Sequence, residues 1–426
     1  MARQLKTWTT LGLAALGSAT LLEAAPVATP RHPALSSAII MAQAEDADGE
    51  GGGEGGGTIP QTYSLGSTDA NAYNYDAKPQ VDAYADLVHQ AYVSSAADAK
   101  TMSASITAFL AAPTAETLGT ARQAWVAARP AYLRTEVFRF YDGPIESNES
   151  NINSWPLNEA YIDYVAGNPK SGLINDPGIA LTIKQLEGSN QKQDEADVTV
   201  GWHAIEFLLW GQDLSAGGPG NRPHTDYIAG EGNNDRRRLY LQLATDELVH
   251  EIEELAEAWE KDGKESYAAK FLELPPREAI GRMVNGMAIL AGFEFMSERL
   301  GVALDSGDQE DEHSCFSDTT KQDFIYDLEG IRQAWTGDSG GVERPGLNDL
   351  LRSQDAALAA KLDALFADAE AKVKAVGGPW DQVLATPKGS PGRLAAEALV
   401  VSLQALADGL AEAGKTLGVL VLIPTG

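Results

Sequence analysis

A histidine and a glutamate stand three positions apart inside the apolar segment 201–211, which reads GWHAIEFLLWG. Residues at positions i and i+3 of a helix project from the same face, so His203 and Glu206 can be directed at one point. Neutral imidazole and carboxylate together suit iron, zinc or copper. Because a carboxylate buried among apolar side chains costs free energy unless it is paired or binds a metal, this pair is a candidate metal site.

The spacing of this pair alone leaves two interpretations open. A structural hydrogen bond between His203 and Glu206 is one, and metal ligation with further carboxylates is the other, since two ligands are too few for a tight site. The common zinc-protease pattern His-Glu-x-x-His is absent from the segment. The inverted pattern His-x-x-Glu-His needs a second histidine where the chain has Phe207.

Carboxylates elsewhere in the chain could complete such a site. Glu136 lies in the aromatic-rich run 135–140 with Arg139 one turn further on, and a surface ion pair between the two is the alternative. Asp142 begins an Asp-Gly-Pro sequence, and an aspartate in that position is more often a turn residue than a ligand. Asp163 could contribute a carboxylate or be a solvated acid.

The polar block 310–318 also contains candidate ligands, Asp318 and His313. The alternative is that serine and aspartate side chains of this block form a polar network or cap the helix predicted to begin at Thr319. Cys315 lies in the same block and is the only cysteine of the chain. It cannot form an internal disulfide, and we interpret it as a buried structural residue.

The charge balance excludes some classes of partner. The 426 residues include 61 acidic and 32 basic side chains, which gives a formal net charge of −29. Nucleic acids and anionic membrane surfaces demand lysine and arginine, so neither is an expected partner. The acidity is consistent with solubility in salt or with the attraction of cations.

The N-terminal region is typical of an export signal. Basic residues precede an apolar run at 11–22, which is short for a membrane span. Cleavage is expected after Ala25 or after Ala44, so residues 1–44 are predicted to be a signal peptide. No cysteine lies nearby to anchor a lipid. The sequence therefore predicts a periplasmic or otherwise exported protein that is not a lipoprotein.

The rest of the chain predicts an all-α fold. Residues 45–75 are an acidic, glycine-rich stretch interpreted as a flexible linker. Residues 76–215 are predicted to form an N-terminal helical bundle with the His-x-x-Glu pair, and residues 235–420 a second bundle after a polar loop. Similar prolines before helices, at Pro113 and Pro387, leave a duplicated bundle open. Apolar residues at helical spacing predict helices over 81–110, 115–138, 197–210, 236–260, 277–304, 319–335, 353–376 and 393–417.

Five ordered blocks of sequence resemble one known family. The first is GWHAIEFLLWGQD at 201–213, which fits the signature GxHxxE. On these blocks the chain resembles the imelysin family, the group of M75 peptidases that includes iron-regulated proteins of the cyanobacterial type. The other four are TEVFRF at 135–140, NSWPL at 153–157, RRRLYL at 236–241 and EDEHSCFSD at 310–318.

This resemblance implies two four-helix bundles with the signature at their interface. It also implies an exported protein that binds iron, or an iron complex, and assists its uptake, together with an iron-transport membrane protein as a partner. We expect the metal ligands to be His203, Glu206, Glu136 and Asp318, with iron favoured and zinc as the second choice.

Other functions and cargoes stay open at this stage. An M75-type metallopeptidase, with Glu136 or Glu206 as the base that activates a metal-bound water, is the alternative function, and the missing second histidine argues against it. A binder of acidic polysaccharide bridged by divalent cations is a third. The cargo can be a free ion, haem or a chelate, and Trp202 and Trp210 are either core residues or a platform on which haem stacks.

Overall fold

The computed structural model describes residues 63–65, 73–215, 217–263 and 265–424, and helices account for most of them. The all-α prediction is confirmed. Strands β1, Tyr63–Leu65, and β2, Val419–Val421, pair antiparallel. Strand β1 lies within the stretch predicted to be a linker. The predicted signal peptide lies outside the described residues.

Fifteen α-helices are present in the described residues, and 3₁₀ or π segments join several of them. The α-helices are α1 Lys78–Ala111, α2 Ala115–Leu133, α3 Ile145–Ile152, α4 Glu159–Ile162, α5 Ile183–Glu187, α6 Gly201–Trp210, α7 Asn234–Ala258, α8 Tyr267–Leu272, α9 Pro276–Ile289, α10 Val302–Ser306, α11 Thr320–Thr336, α12 Leu347–Gln354, α13 Ala356–Ala375, α14 Trp380–Leu384 and α15 Pro391–Thr416.

Helix α2 is shorter than predicted, and its end positions a site residue. At its start, Thr114 accepts a hydrogen bond from the Thr117 N–H at 3.1 Å and donates its own N–H to the Thr117 hydroxyl at 3.0 Å. Near its end, Pro130 removes one backbone donor, and the helix stops at Leu133 instead of Phe138. The chain then forms a 3₁₀ turn, Glu136–Phe138, whose three side chains are buried.

The predicted helix 277–304 is also divided. Helix α9 is followed by a π-helical segment, Leu290–Gly301, and then by α10. Such segments are rare and frequently lie at functional sites. Gly292 lets this segment approach α15, because a Cβ there would lie 2.6 Å from the Cβ of Ala407.

One continuous apolar core joins the two halves of the chain. Helix α1 packs against α2 and α7, and α6 also packs against α2 and α7. Helix α15 packs against α9, α13 and the π segment, and α11 bridges to α2. Helix α15 is long and apolar enough to cross a membrane by length and composition, but much of it belongs to this core. The division into tandem bundles stays a prediction.

Helix α6, which carries the His-x-x-Glu pair, begins at Gly201 and not at Asp197. Val200 is extended, and Gly201 then turns the chain with a φ of 89°. A Cβ at this position would lie 2.5 Å from the carbonyl oxygen of Ile152 in α3. Glycine is therefore required there both for backbone conformation and for space.

Replacing Gly201 with alanine tests this requirement. We expect Gly201→Ala to lower the free energy of unfolding by about 2–4 kcal/mol, because it combines a strained φ with a backbone clash. Gly119→Ala in α2 is the matched control: open space surrounds that position, and alanine should stabilise the helix by about 0.5–1 kcal/mol. Urea unfolding measures both. Equal effects of the two substitutions would contradict this account of Gly201.

Candidate functional site

The His203–Glu206 pair is sealed inside the protein and both side chains are fully buried. His203 Nδ1 lies 2.8 Å from Glu206 Oε2, and Arg129 Nη2 lies 3.2 Å from His203 Nε2. A guanidinium only donates hydrogen bonds, so His203 Nε2 accepts one, and the protonated Nδ1 donates a hydrogen bond to Glu206 Oε2. Burial, followed by the charge of Arg129, lowers the pKa of His203 well below its ordinary value, which keeps the ring neutral.

Glu206 connects α6 to the block 310–318. Its Oε1 accepts hydrogen bonds from the Ser317 N–H at 2.9 Å and from the Ser317 hydroxyl at 2.6 Å. Burial raises the pKa of Glu206 to about 8, although the Ser317 hydrogen bonds and the charge of Arg129 oppose the shift. The structure thus brings the predicted pair together on one helix face and adds Arg129 and Ser317 as its partners.

A second imidazole–carboxylate pair lies against the first. The rings of His203 and His313 have centroids 4.7 Å apart. His313 Nδ1 lies 2.8 Å from Asp323 Oδ2, which also accepts a hydrogen bond from the Ser314 hydroxyl at 2.6 Å. Burial, followed by the charges of Arg299 and Arg129, lowers the pKa of His313. The sequence pattern indicates His313 as an alternative ligand, but it gives no sign of Asp323.

A cleft of about 380 Å³ reaches this buried layer from the surface. His313 forms part of its lining, and so does Trp155, whose ring centroid lies 5.0 Å from that of His203. The guanidiniums of Arg139 and Arg299 contribute positive charge to the wall. The acidic residues that line the cleft are Glu149, Glu195, Glu294, Glu298 and Asp311.

Glu136 is fully buried in an ion-pair network beside this cleft. It pairs with Arg139 at 3.2 Å and with Arg299, so the predicted pair with Arg139 exists but is not at the surface. Burial alone would raise the pKa of Glu136, but the two guanidiniums outweigh it and hold the pKa below its ordinary value. Arg299 also pairs with Asp327 at 2.8 Å and with Glu294 at 3.0 Å.

Asp318 follows Ser317, which binds Glu206, but the carboxylate of Asp318 makes no hydrogen bond to the pair. Its backbone has a φ of 58°, and neither of its carboxylate oxygens has a hydrogen-bond partner. Burial, followed by the negative charges of Asp381 and Asp213, raises the pKa of Asp318 to about 7. No side-chain cap is present at the start of α11, so the capping interpretation of this block is wrong, whereas the polar network formed by its serines is present.

The remaining candidate residues are buried and make contacts typical of a structural role. Asp163 is buried between Arg222 and Arg237, each at 2.6 Å, so it is neither solvated nor available as a ligand. Trp202 and Trp210 are buried and pack edge-on against Trp125, as core residues do. Cys315 is buried, as expected, and burial raises the pKa of its thiol.

The four predicted metal ligands do not form one cluster. Within the described ranges, no three or more histidine, cysteine, aspartate or glutamate side chains are arranged so that they could hold a metal ion. Ligation by His203, Glu206, Glu136 and Asp318 therefore stays a prediction. The geometry defines an all-α protein with an acidic cleft that is lined by the imidazole of His313, behind which lies the buried His203–Glu206 pair.

Comparisons with known proteins agree with this class. The imelysin family model, Peptidase M75, matches residues 88–410, and the chain belongs to the imelysin family. It is 26% identical over 349 residues to the iron-regulated protein A of Synechococcus elongatus, a match that covers 80% of this chain and 86% of that protein.

Two crystal structures share the fold. An iron-regulated protein A precursor from Parabacteroides distasonis matches with a TM-score of 0.64 and 17% identity, over 82% of this chain and 98% of the other. An imelysin-like protein from Psychrobacter arcticus matches with a TM-score of 0.59 and 16% identity, over 83% and 99%.

The pH dependence of stability tests the buried carboxylates near this site. Glu312 is fully buried, and burial together with the charges of Asp381 and Asp318 raises its pKa from 4.5 to about 9, although the nearby Thr320 hydroxyl opposes the shift. The folded state therefore holds this proton more tightly than the unfolded state. The resulting stability is full below about pH 4.5 and is lost as the pH rises through about 9.

Glu312→Gln cannot ionise and should remove this dependence. We expect the variant to resemble the parent protein near pH 4 and to be the more stable of the two near pH 9. Urea unfolding over that range measures the difference, with Glu257→Gln on the exposed side of α7 as the control. A difference that stays constant with pH would show that Glu312 does not titrate as described.

Proposed function

We propose that this imelysin-family protein is an exported, non-enzymatic binding protein that takes an iron complex into the acidic cleft beside the His-x-x-Glu pair and assists iron uptake. The observation that carries the proposal is the cleft itself. It brings five carboxylates and one imidazole, that of His313, to a single opening. Carboxylate oxygen and imidazole nitrogen are the donors that iron accepts in proteins.

The electrostatics of the chain support a cationic metal as cargo. The net charge of −29 favours the approach of cations over a wide surface. The iron-regulated protein A of Synechococcus elongatus adds a link between this family and iron. The His203–Glu206 pair forms the layer directly behind the cleft, where His203 lies against His313.

The geometry favours iron that brings some of its own ligands over the bare ion. The described residues offer no preformed group of three ligands. A bare ion would therefore be held only weakly, by few protein atoms, whereas a chelate needs fewer protein ligands. The volume of about 380 Å³ suits a small ligand, and Arg139 and Arg299 can donate hydrogen bonds to an anionic chelator.

Export and a membrane partner complete the proposal. The basic and apolar pattern of residues 1–44 supports export, followed by delivery of iron to a transport protein in the membrane. Mass spectrometry of the secreted protein should show an N-terminus after Ala25 or after Ala44. A full-length chain retained in the cytoplasm would contradict export.

Binding of ferric citrate tests the proposed function directly. We expect one complex to bind per chain and to quench the fluorescence of Trp155, which lines the cleft. His313→Ala and His203→Ala should each weaken binding by roughly tenfold or more, about 1.4 kcal/mol. The first substitution removes an imidazole that lines the cleft, and the second removes the ring that packs against that imidazole. His250→Ala, at an exposed position of α7, is the control and should bind normally.

Two outcomes would contradict this function. Absence of binding by the parent protein, or equal binding by all variants, would remove the cleft as the iron site. Chelator-sensitive cleavage of peptides by the pure parent protein would instead support the metallopeptidase alternative.

A further inference from the structure

We infer that His313, and not the signature histidine His203, presents the imidazole nitrogen that binds the iron cargo, and that His203 is a positioning residue behind it. This inference rests on the proposed function and assigns the residue that contacts the metal.

The first reason is that the only nitrogen lone pair of His203 is already engaged in a hydrogen bond. A neutral imidazole has one unprotonated nitrogen, and only that nitrogen can bind a metal. In His203 this atom is Nε2, which accepts a hydrogen bond from Arg129 at 3.2 Å. The other nitrogen faces Glu206 at 2.8 Å and carries the proton.

The second reason is that Arg129 is held in place. Its side chain is 2% exposed, and Nη1 donates a hydrogen bond to Asn153 Oδ1 at 2.5 Å. The guanidinium lies over three aromatic rings, at 5.7 Å from those of Trp125 and Tyr132 and at 5.5 Å from that of Trp202. Moving it from His203 would disrupt all of these contacts inside the core.

The third reason is that His313 has the arrangement of a metal-binding histidine. Such histidines donate one ring N–H to a carboxylate, which orients the ring and increases the basicity of the other nitrogen. His313 Nδ1 lies 2.8 Å from Asp323 Oδ2, and the Ser314 hydroxyl fixes the same oxygen at 2.6 Å. Its Nε2 is therefore the ring nitrogen left for a ligand, and His313 lines the acidic cleft.

The signature pair, His203 and Glu206, then holds the segment that carries His313 in position. Glu206 holds both the backbone N–H and the hydroxyl of Ser317, four residues beyond His313. The His203 ring packs edge-on against that of His313, with centroids 4.7 Å apart. Together these contacts fix the segment that carries His313 and the side of its ring that faces the interior.

Zinc titration of the ¹⁵N-labelled full chain, followed by NMR of the imidazole nitrogens, tests this assignment. Zn²⁺ is a diamagnetic probe for the imidazole donor, and the chain has only six histidines. We expect the Nε2 resonance of His313 to move to a metal-bound position while His203 keeps its proton on Nδ1. His313→Gln should abolish the shifted resonance and weaken zinc binding roughly 10- to 100-fold.

His203→Gln separates positioning from ligation. It should weaken binding but retain the shifted His313 resonance. A shifted His203 resonance in the parent protein, or its persistence in His313→Gln, would overturn the inference while leaving the proposed iron site in place. The parent measurement keeps the test valid if His203→Gln fails to fold. Zinc binding with no histidine shifted would also overturn the inference, and failure to bind both zinc and ferric citrate would sink the proposed function itself.

Discussion

The buried guanidinium of Arg129 is the element on which the rest of the site depends. It lies over three aromatic rings and donates hydrogen bonds to Asn153 and to His203. Its ion-pair partner is Asp323, 3.9 Å away, and breaking a buried ion pair by removing one partner costs about 3–5 kcal/mol, because the remaining charge keeps its desolvation penalty. The chain of contacts from Arg129 through His203 and Glu206 to Ser317 therefore holds parts of the sequence that are far apart, at a point where water is excluded.

Three backbone features position the polar side chains of the site and of the cleft. The end of α2 after Pro130 turns Glu136 inward toward Arg299, and Gly201 allows α6 to start against α3. The π segment carries Glu294 and Arg299 to the cleft wall. Each feature breaks the regular helical repeat close to the site, and each is stabilised by the continuous core around it.

Much of the fold follows from local patterns in the sequence. Helical spacing predicted the long helices, and His203 and Glu206 do share one helix face, as their spacing predicted. The errors lie where the period changes, as in the π segment after Ile289.

The partners of the site residues are of a different kind. Arg129 meets His203 across 74 positions, and Arg299 meets Glu136 across 163. The helical periodicity of the sequence does not predict such pairings, since they arise only when distant elements pack together. The motif could therefore indicate a buried His–Glu pair. It could not indicate that Arg129 and Ser317 supply hydrogen bonds to this pair, or that Asp323 orients a second histidine.

A crystal structure of the ferric citrate complex, with data collected at the iron absorption edge, would show directly which imidazole binds the iron. We expect an anomalous peak in the cleft within bonding distance of His313 Nε2, with Arg129 still donating to His203. A peak bonded to His203 Nε2, with Arg129 displaced, would contradict the role given to His203. A peak outside the cleft would contradict the site as a whole.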